Sequence, residues 1–285
     1  MIIEVAKDAG YCFGVRDAVN IAYDASEKFG EVYMLGDIVH NEQVVDDLEE
    51  AGAIVVDSIN DIPNDKTVLL RAHGTKTNVI NNIKNNNLNV IDATCPLVYE
   101  IHKDVKKLHD EGRKIIIIGD HGHDEVIAIA DQVPDTIIVA NSEEASKLKK
   151  YKRAGVVSQS TQMIENVQSI MSILMTKIFD LHFINTICYP TKRNHEQIKE
   201  LAVKHDVMIV IGSFTSANSK RLTEIAEKLN NKSYQVTSAK DLSKDWFVNA
   251  ESVGISAGAS TPDYLIDEVR SEIEKISRSV TNEKR

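Results

Sequence analysis

Cys12, Cys95 and Cys188 are the only cysteines in 285 residues, and they have the same surroundings. An apolar, β-branched run leads in (IIEVA, LNVIDAT or LHFINTI), and a segment with helical periodicity follows. A cysteine at a helix N-terminus meets free backbone N–H groups and the positive end of the helix dipole, which favour thiolate over thiol. Thiolate is the form that binds metal or attacks an electrophile. A small buried hydrophobe explains the apolar approach but not the repeated helix-start placement. Three such positions, related by an approximate three-fold, are expected to converge on one point. Zinc held by three cysteines and a histidine is one reading, although closely spaced C-x-x-C pairs are absent. An iron–sulfur cluster is the other. Such clusters usually take four cysteines, so three would leave one iron of four open as a Lewis acid, giving redox chemistry on a bound ligand.

A second layer of polar residues follows the same repeat. Counting 28 positions on from each cysteine gives His40, His123 and Ser216, each just beyond an apolar run and a glycine. In HGHDEV, His123 and Glu125 share one turn, and a partly desolvated Glu125 is suited to donate a proton. Thr161, in SQSTQ, is placed to pass protons or orient a hydroxyl. His40 and His73 join Ser216, Asn218 and Ser260 as short hydrogen-bonding residues at strand ends. Such turns beside helix starts cradle phosphate or diphosphate. No GxxxxGK[ST] or GxGxxG motif occurs, so a nucleotide is disfavoured. His102 and His109, on a segment with Lys103, Lys106 and Lys107, are expected to face solvent. His182, His195 and His205 have no comparable context.

These residues need elements to hold them. Val15, Ala18, Val19, Ala22 and Phe29 form one helical face after Cys12. Val98, Ile101, Val105 and Leu108 form another, from Pro96 to a stop at Gly112. A third helix opens at Pro190 or Thr191 and carries Ile198, Leu201 and Ala202. Further strand-and-turn segments, VLLRAHGTK, AGVVSQSTQ and VGISAGASTPD, bring the count to nine strand–turn–helix units in three copies. Alternating strands and helices imply α/β architecture with parallel sheets, whose ligands gather beyond the strands' carboxyl ends. The division is 1–94 (Cys12, His40, His73), 95–187 (Cys95, His123, Glu125, Thr161) and 188–268 (Cys188, Ser216, Asn218, Ser260). Residues 269–285 then form a C-terminal helix or tail. NNIKNNNLN and KLKKYKR read as solvated helix ends and loops, and SRSVTNEKR as a frayed terminus. No long linker separates the parts, so they are expected to surround a shared centre.

Bulk properties bound the partners. An apolar content of 42% and a charged content of 27% are ordinary for a globular protein. A net charge of −10 argues against nucleic acid or an anionic membrane as partner. The N-terminus lacks a signal-peptide pattern, no apolar run reaches membrane-spanning length, and the odd, small cysteine count suits a reducing cytoplasm.

GYCFGV, VHNE, RAHG, DATCP, GDHGHDEV, SQST, NTIC, GSFTSANS and AGASTPD together resemble, in order, the motifs of the LytB family of 4-hydroxy-3-methylbut-2-enyl diphosphate reductases. The resemblance spans Cys12 to about Asp263. It implies a trefoil of three pseudo-repeated α/β domains around a central [4Fe-4S] cluster, held by Cys12, Cys95 and Cys188 with one open iron. It also implies a diphosphate site lined by His40, His73, His123, Ser216, Asn218 and Ser260. Glu125, supported by Thr161 and His123, would deliver protons. The implied reaction is the last step of the non-mevalonate isoprenoid route. Two electrons from a reduced ferredoxin or flavodoxin, with two protons, remove the allylic hydroxyl as water and leave isopentenyl and dimethylallyl diphosphates. Three departures stand out: Ala217 replaces a serine, Ser160 a frequent threonine, and CYPTKRNHE differs from the usual C-x-A-T followed by Arg-Gln. The alternative is a non-catalytic iron–sulfur paralogue that senses redox state or iron.

Overall fold

Runs such as IIII (115–118) and VMIVI (207–211) are short, apolar and mostly β-branched, the composition of strands covered on both faces. The computed structural model describes residues 1–283, with side chains as far as Arg278. It contains twelve strands and ten α-helices among the described residues. In chain order they are β1 (Ile2–Val5), α1 (Phe13–Phe29), β2 (Val32–Leu35), α2 (Glu42–Glu50), β3 (Ala53–Val56), β4 (Thr67–Leu70), α3 (Thr77–Asn85) and β5 (Asn89–Asp92). Next come α4 (Pro96–Asp110), β6 (Lys114–Ile118), α5 (Asp124–Ala130), β7 (Ile137–Val139), α6 (Ser142–Lys147), β8 (Tyr151–Ser158), α7 (Ile164–Lys177) and β9 (Ile178–Phe183). The last are α8 (Tyr189–Lys204), β10 (Val207–Ile211), α9 (Ala217–Leu229), β11 (Ser233–Val236), β12 (Ser252–Ala257) and α10 (Asp263–Glu283).

The chain divides into two compact units. The first comprises Met1–Val15, His40–Val44 and the chain from Tyr189 onward; the second comprises Arg16–Val39 and Val45–Cys188. One sheet, β11-β10-β12-β1, belongs to the first unit, and its core joins Val207, Ile209, Val253 and Ile255 to Leu265, Val269 and Ile273 of α10. The second unit holds β3-β2-β4-β5 and β7-β6-β8-β9. Every pairing is parallel, and the three sheets share one order. The first sheet is completed from the far end of the chain: β1 lies against β12, with Ile3 opposite Val253 and Val5 opposite Ile255. The α/β class with parallel sheets is therefore as the periodicity implies.

Several local expectations are corrected. The nine expected strand units are twelve strands among the described residues, because β3, β7 and β11 end in no polar signature turn that would mark them in the sequence. The stripe Val98, Ile101, Val105 and Leu108 is buried as expected, but His102 is buried with it at 6% exposure instead of facing solvent. Phe29, at the end of α1, is 43% exposed and leaves its expected face. Helix α8 opens at Tyr189, earlier than Pro190, with Ile198, Leu201 and Ala202 buried. KLKKYKR is not all loop, since Tyr151–Arg153 begin the long strand β8. Ile83 and Leu88 of NNIKNNNLN are buried, which ties that stretch down. SRSVTNEKR continues α10 through Glu283, and residues 284–285 lie outside the described residues. No helix among the described residues is long and apolar enough to cross a membrane.

Candidate active site

Every residue singled out for chemistry follows the carboxyl end of a parallel strand. Within each sheet the three strands that carry such residues are contiguous, and the silent strand (β3, β7 or β11) is an outer edge. The strand order reverses between β2 and β4, β6 and β8, and β10 and β12, where open parallel sheets leave a crevice for ligands. His40 and His73, His123 and Thr161, and Ser216 and Ser260 follow those three strand pairs.

The cysteines repeat their backbone setting. Cys12, Cys95 and Cys188 immediately precede α1, α4 and α8. Their N–H groups donate to Ala259 O (3.2 Å), Ala72 O (3.0 Å) and Ser160 O (2.9 Å), carbonyls in the turns after β12, β4 and β8. Each thiol is therefore fixed at a helix start by the neighbouring strand's turn. All three are partly exposed and none forms a disulfide. Soft donors at helix N-termini, with access from outside, fit an iron–sulfur cluster. Among the described residues, no three His, Cys, Asp or Glu side chains group as a single metal ion would need. A four-iron cluster takes a thiolate on each of several irons and does not require that grouping.

In the second unit, Glu125 is 2% exposed, and both its carboxylate oxygens are engaged by Ser160. Ser160 N–H donates to Oε1 at 2.6 Å and its hydroxyl donates to Oε2 at 2.7 Å. His123 is the N-cap of α5, and its Nδ1 accepts from Glu125 N–H at 3.2 Å. The same imidazole meets His73 edge-on, with ring centroids 5.7 Å apart. Arg71 donates to Asp124 Oδ2 at 2.7 Å, joining the RAHG turn to the HGHDEV turn. A Cβ on Gly36 would stand 2.9 Å from Arg71 Nη1, so glycine gives the guanidinium its space. Gln159 accepts from Asp120 N–H at 3.0 Å and donates to Thr161 Oγ1 at 3.1 Å.

In the first unit, Ser216 caps α9 and accepts from Ser219 N–H at 3.3 Å. Asn218, 6% exposed, has both side-chain polar atoms buried without a hydrogen-bond partner. A buried amide left in this state costs free energy that an oxyanion or other polar ligand would recover. Ser260 Oγ donates to His40 O at 3.0 Å. Burial pushes the Glu42 carboxyl up, but its own backbone N–H, Ser213, Thr215 and the nearby His40 outweigh this and hold it below the usual range. Ala217, the departure from serine, is the first residue of α9 between Ser216 and Asn218. In CYPTKRNHE, Thr191, Asn194 and His195 turn inward. Arg193 pairs with Asp8 at 2.8 Å and lies 5.7 Å from the Tyr189 ring centroid.

Sequence reasoning did not identify Glu42, Arg71, Asp124 or Gln159 as parts of these constellations. All four lie inside quoted motifs, VHNE, RAHG, HGHDEV and SQSTQ, but the partners that give them a role are distant in sequence. His205, given no chemical role by the sequence, is buried with Nε2 3.1 Å from Glu4, apart from these constellations.

Comparison with known proteins agrees with the motifs. The family model described as LytB protein matches residues 3–274. The chain is 39% identical to 4-hydroxy-3-methylbut-2-enyl diphosphate reductase of Geotalea uraniireducens over 98% of this chain and 99% of that one. Among solved structures, the E-1-hydroxy-2-methyl-but-2-enyl-4-diphosphate reductase of Plasmodium falciparum superposes with a TM-score of 0.90 at 30% identity, covering 96% of this chain and 87% of that chain. A second, (E)-4-hydroxy-3-methyl-but-2-enyl diphosphate reductase, described as the terminal enzyme of the non-mevalonate pathway, gives a TM-score of 0.73 at 36% identity, covering 96% and 100%.

Proposed function

This chain belongs to the LytB family, and we infer that it catalyses the reductive dehydroxylation of 4-hydroxy-3-methylbut-2-enyl diphosphate, the terminal step of the non-mevalonate pathway. The observation that carries the reading is the repeated cysteine setting: a thiol before a helix, beside a neighbouring strand's turn, three times in a chain that matches the family almost throughout. The cofactor is of the iron–sulfur type. Cys12, Cys95 and Cys188 would hold a [4Fe-4S] cluster with one open iron, which when bound would supply electrons and a Lewis acid for the allylic hydroxyl. The division into 1–94, 95–187 and 188–268, with 269–285 as a C-terminal helix or tail, would give one thiolate to each of the first three parts.

The chain's own residues do the rest. Ser216, Asn218 and Ser260 hold the diphosphate, with His40, His73 and His123 adding donors whose strength grows toward a charged oxygen. The start of α9 contributes its dipole and N–H groups. Buried Glu125 holds a proton for the departing hydroxyl, and Ser160 fixes the carboxyl that carries it. Thr161 and His123 orient the allylic end. The balance is one substrate, two electrons and two protons to one water and one isopentenyl or dimethylallyl diphosphate. The electron donor is a reduced ferredoxin or flavodoxin, and the setting is the cytoplasm.

Anaerobic purification followed by assay with a reduced viologen dye tests this. The expected result is a brown, air-sensitive protein that converts the substrate to both products. Iron-loaded protein without turnover would leave the sensor reading instead. Replacing one ligand, Cys95→Ser, is expected to lower bound iron sharply; full iron retention would remove Cys95 from the ligand set.

A further inference from the structure

We propose that Glu42 is a positioning residue for the diphosphate end of the substrate, tying the VHNE turn that carries His40 to the GSFTSAN turn that carries Ser216 and Asn218. The proposal rests on the diphosphate reading of those turns. Glu42 opens α2, next to Asn41, whose Oδ1 accepts from Val44 N–H at 3.3 Å. Its Oε1 accepts from Ser213 Oγ at 2.7 Å and from Thr215 Oγ1 at 3.2 Å. Ser213 Oγ in turn accepts from Thr215 N–H at 2.9 Å, and Ser213 is only 2% exposed. From β11, Gln235 Nε2 donates to the carbonyls of Gly212 and Ser213, each at 3.0 Å. Ser260 adds its bond to His40 O. The turns after β2, β10 and β12 are thus stitched into one hydrogen-bonded piece, with a carboxylate at its middle.

A carboxylate beside an anion site is electrostatically unexpected, and the geometry explains it. Ser213 Oγ donates to Glu42, and Thr215 Oγ1 has Glu42 Oε1 at 3.2 Å and Ser213 Oγ at 2.7 Å, so both hydroxyls are taken up within the latch and are not the donors that meet phosphate. That task falls to Asn218, whose amide has no protein partner, and to Ser216 and the start of α9, while Ser260, whose proton goes to His40 O, meets phosphate only by turning its hydroxyl. Glu42 acts behind them by holding the loop. The pinned loop pays the ordering entropy before substrate arrives, so the latch is worth affinity more than rate.

The test is binding of inorganic diphosphate to the iron-loaded protein by calorimetry, with KM and kcat measured alongside. Glu42→Ala is expected to weaken diphosphate binding and raise KM roughly tenfold, the scale of one charged hydrogen bond, with kcat within about twofold. Glu42→Gln keeps an acceptor for both hydroxyls and is expected to restore near-parental binding. Ser213→Ala with Thr215→Val, on the other side of the latch, should reproduce the loss and add little to Glu42→Ala. Unchanged binding in Glu42→Ala, or a Glu42→Gln as damaged as Glu42→Ala, would overturn the proposal. Asn218→Ala serves as the reference. If it too binds diphosphate like the parent, the diphosphate assignment itself fails; if it binds weakly while Glu42→Ala does not, only the latch fails.

Discussion

Glu125 and Ser160 show how much a single residue depends on its partner. A carboxyl asked to hand over a proton must be aimed, and Glu125 is aimed by two short bonds from one residue, through backbone and side chain. Glu125→Gln keeps an acceptor for Ser160 N–H and offers its amide to the Ser160 oxygen, so the fold should persist with iron content intact. Turnover should fall by about 10²–10⁴, the usual range for a lost acid–base group. Unchanged turnover in the iron-loaded variant would remove Glu125 from proton delivery. Ser160→Thr, which retains the hydroxyl, is expected to work nearly as well as the parent. Ser160→Ala leaves one carboxylate oxygen without its donor and should lose several-fold in kcat with KM little changed. Equal kcat values for the two Ser160 variants would show that the hydroxyl aims nothing. Ala217→Ser, at the start of α9, adds a donor between Ser216 and Asn218. It should lower KM by up to about tenfold if its hydroxyl reaches phosphate, and an unchanged KM would mean the departure is neutral.

Elements meet where side chains find room in neighbouring turns, and the starts of the GSFTSANS and AGASTPD turns depend on this. Ser219, fully buried on α9, has a hydroxyl without a partner, 2.1 Å from where a Cβ on Gly258 would lie. Gly258→Ala should therefore destabilise by about 1–3 kcal/mol through overpacking. Pairing it with Ser219→Ala removes the clashing atom and should recover most of that loss, which a thermal-melt double-mutant cycle would read. Additive losses would sink the steric account. The sequence made α9 and these two turns visible but not their interlock, which joins residues 39 positions apart. The same limit applies to strands. Those ending in a polar signature were legible, whereas AIVV, IIV and SYQV ended in none and were missed. His102 departs from expectation for a different reason: lysines flank it in sequence, but its spacing, four residues after Val98 and three before Val105, places it on the buried stripe. The β1–β12 pairing was not legible, because no local pattern specifies which strand accepts the chain's first segment.

At the scale of the molecule, one order serves all three parallel sheets, and in the second unit two of them are linked in sequence through α4, from β5 to β6. His102 lies on that helix, with its Cε1 3.3 Å from where a Gly74 Cβ would sit in the turn after β4, and Val98 and Ala128 of α5 close the same space. Burial, with a further push from Lys106 against a smaller opposing pull from Asp131, lowers its pKa from 6.5 to about 4. The folded state therefore requires a neutral imidazole. As pH falls below 6.5 the unfolded chain takes up a proton that the folded chain refuses until about pH 4. Stability from this group is complete above that window, declines through it and is gone below it, a loss on the order of 3 kcal/mol. His102→Leu cannot take up that proton. Carboxylates titrate in both proteins, so the informative quantity is the parent-minus-variant difference in urea unfolding free energy at several pH values. Cavity and shape effects set that difference at pH 7, but only the imidazole makes it depend on pH. The variant should gain on the parent as pH drops from 7 toward 4.5. A difference that stays constant across this range would mean that His102 is free to protonate in the folded protein, and that the packing between α4 and the turn after β4 is looser than the structure has it.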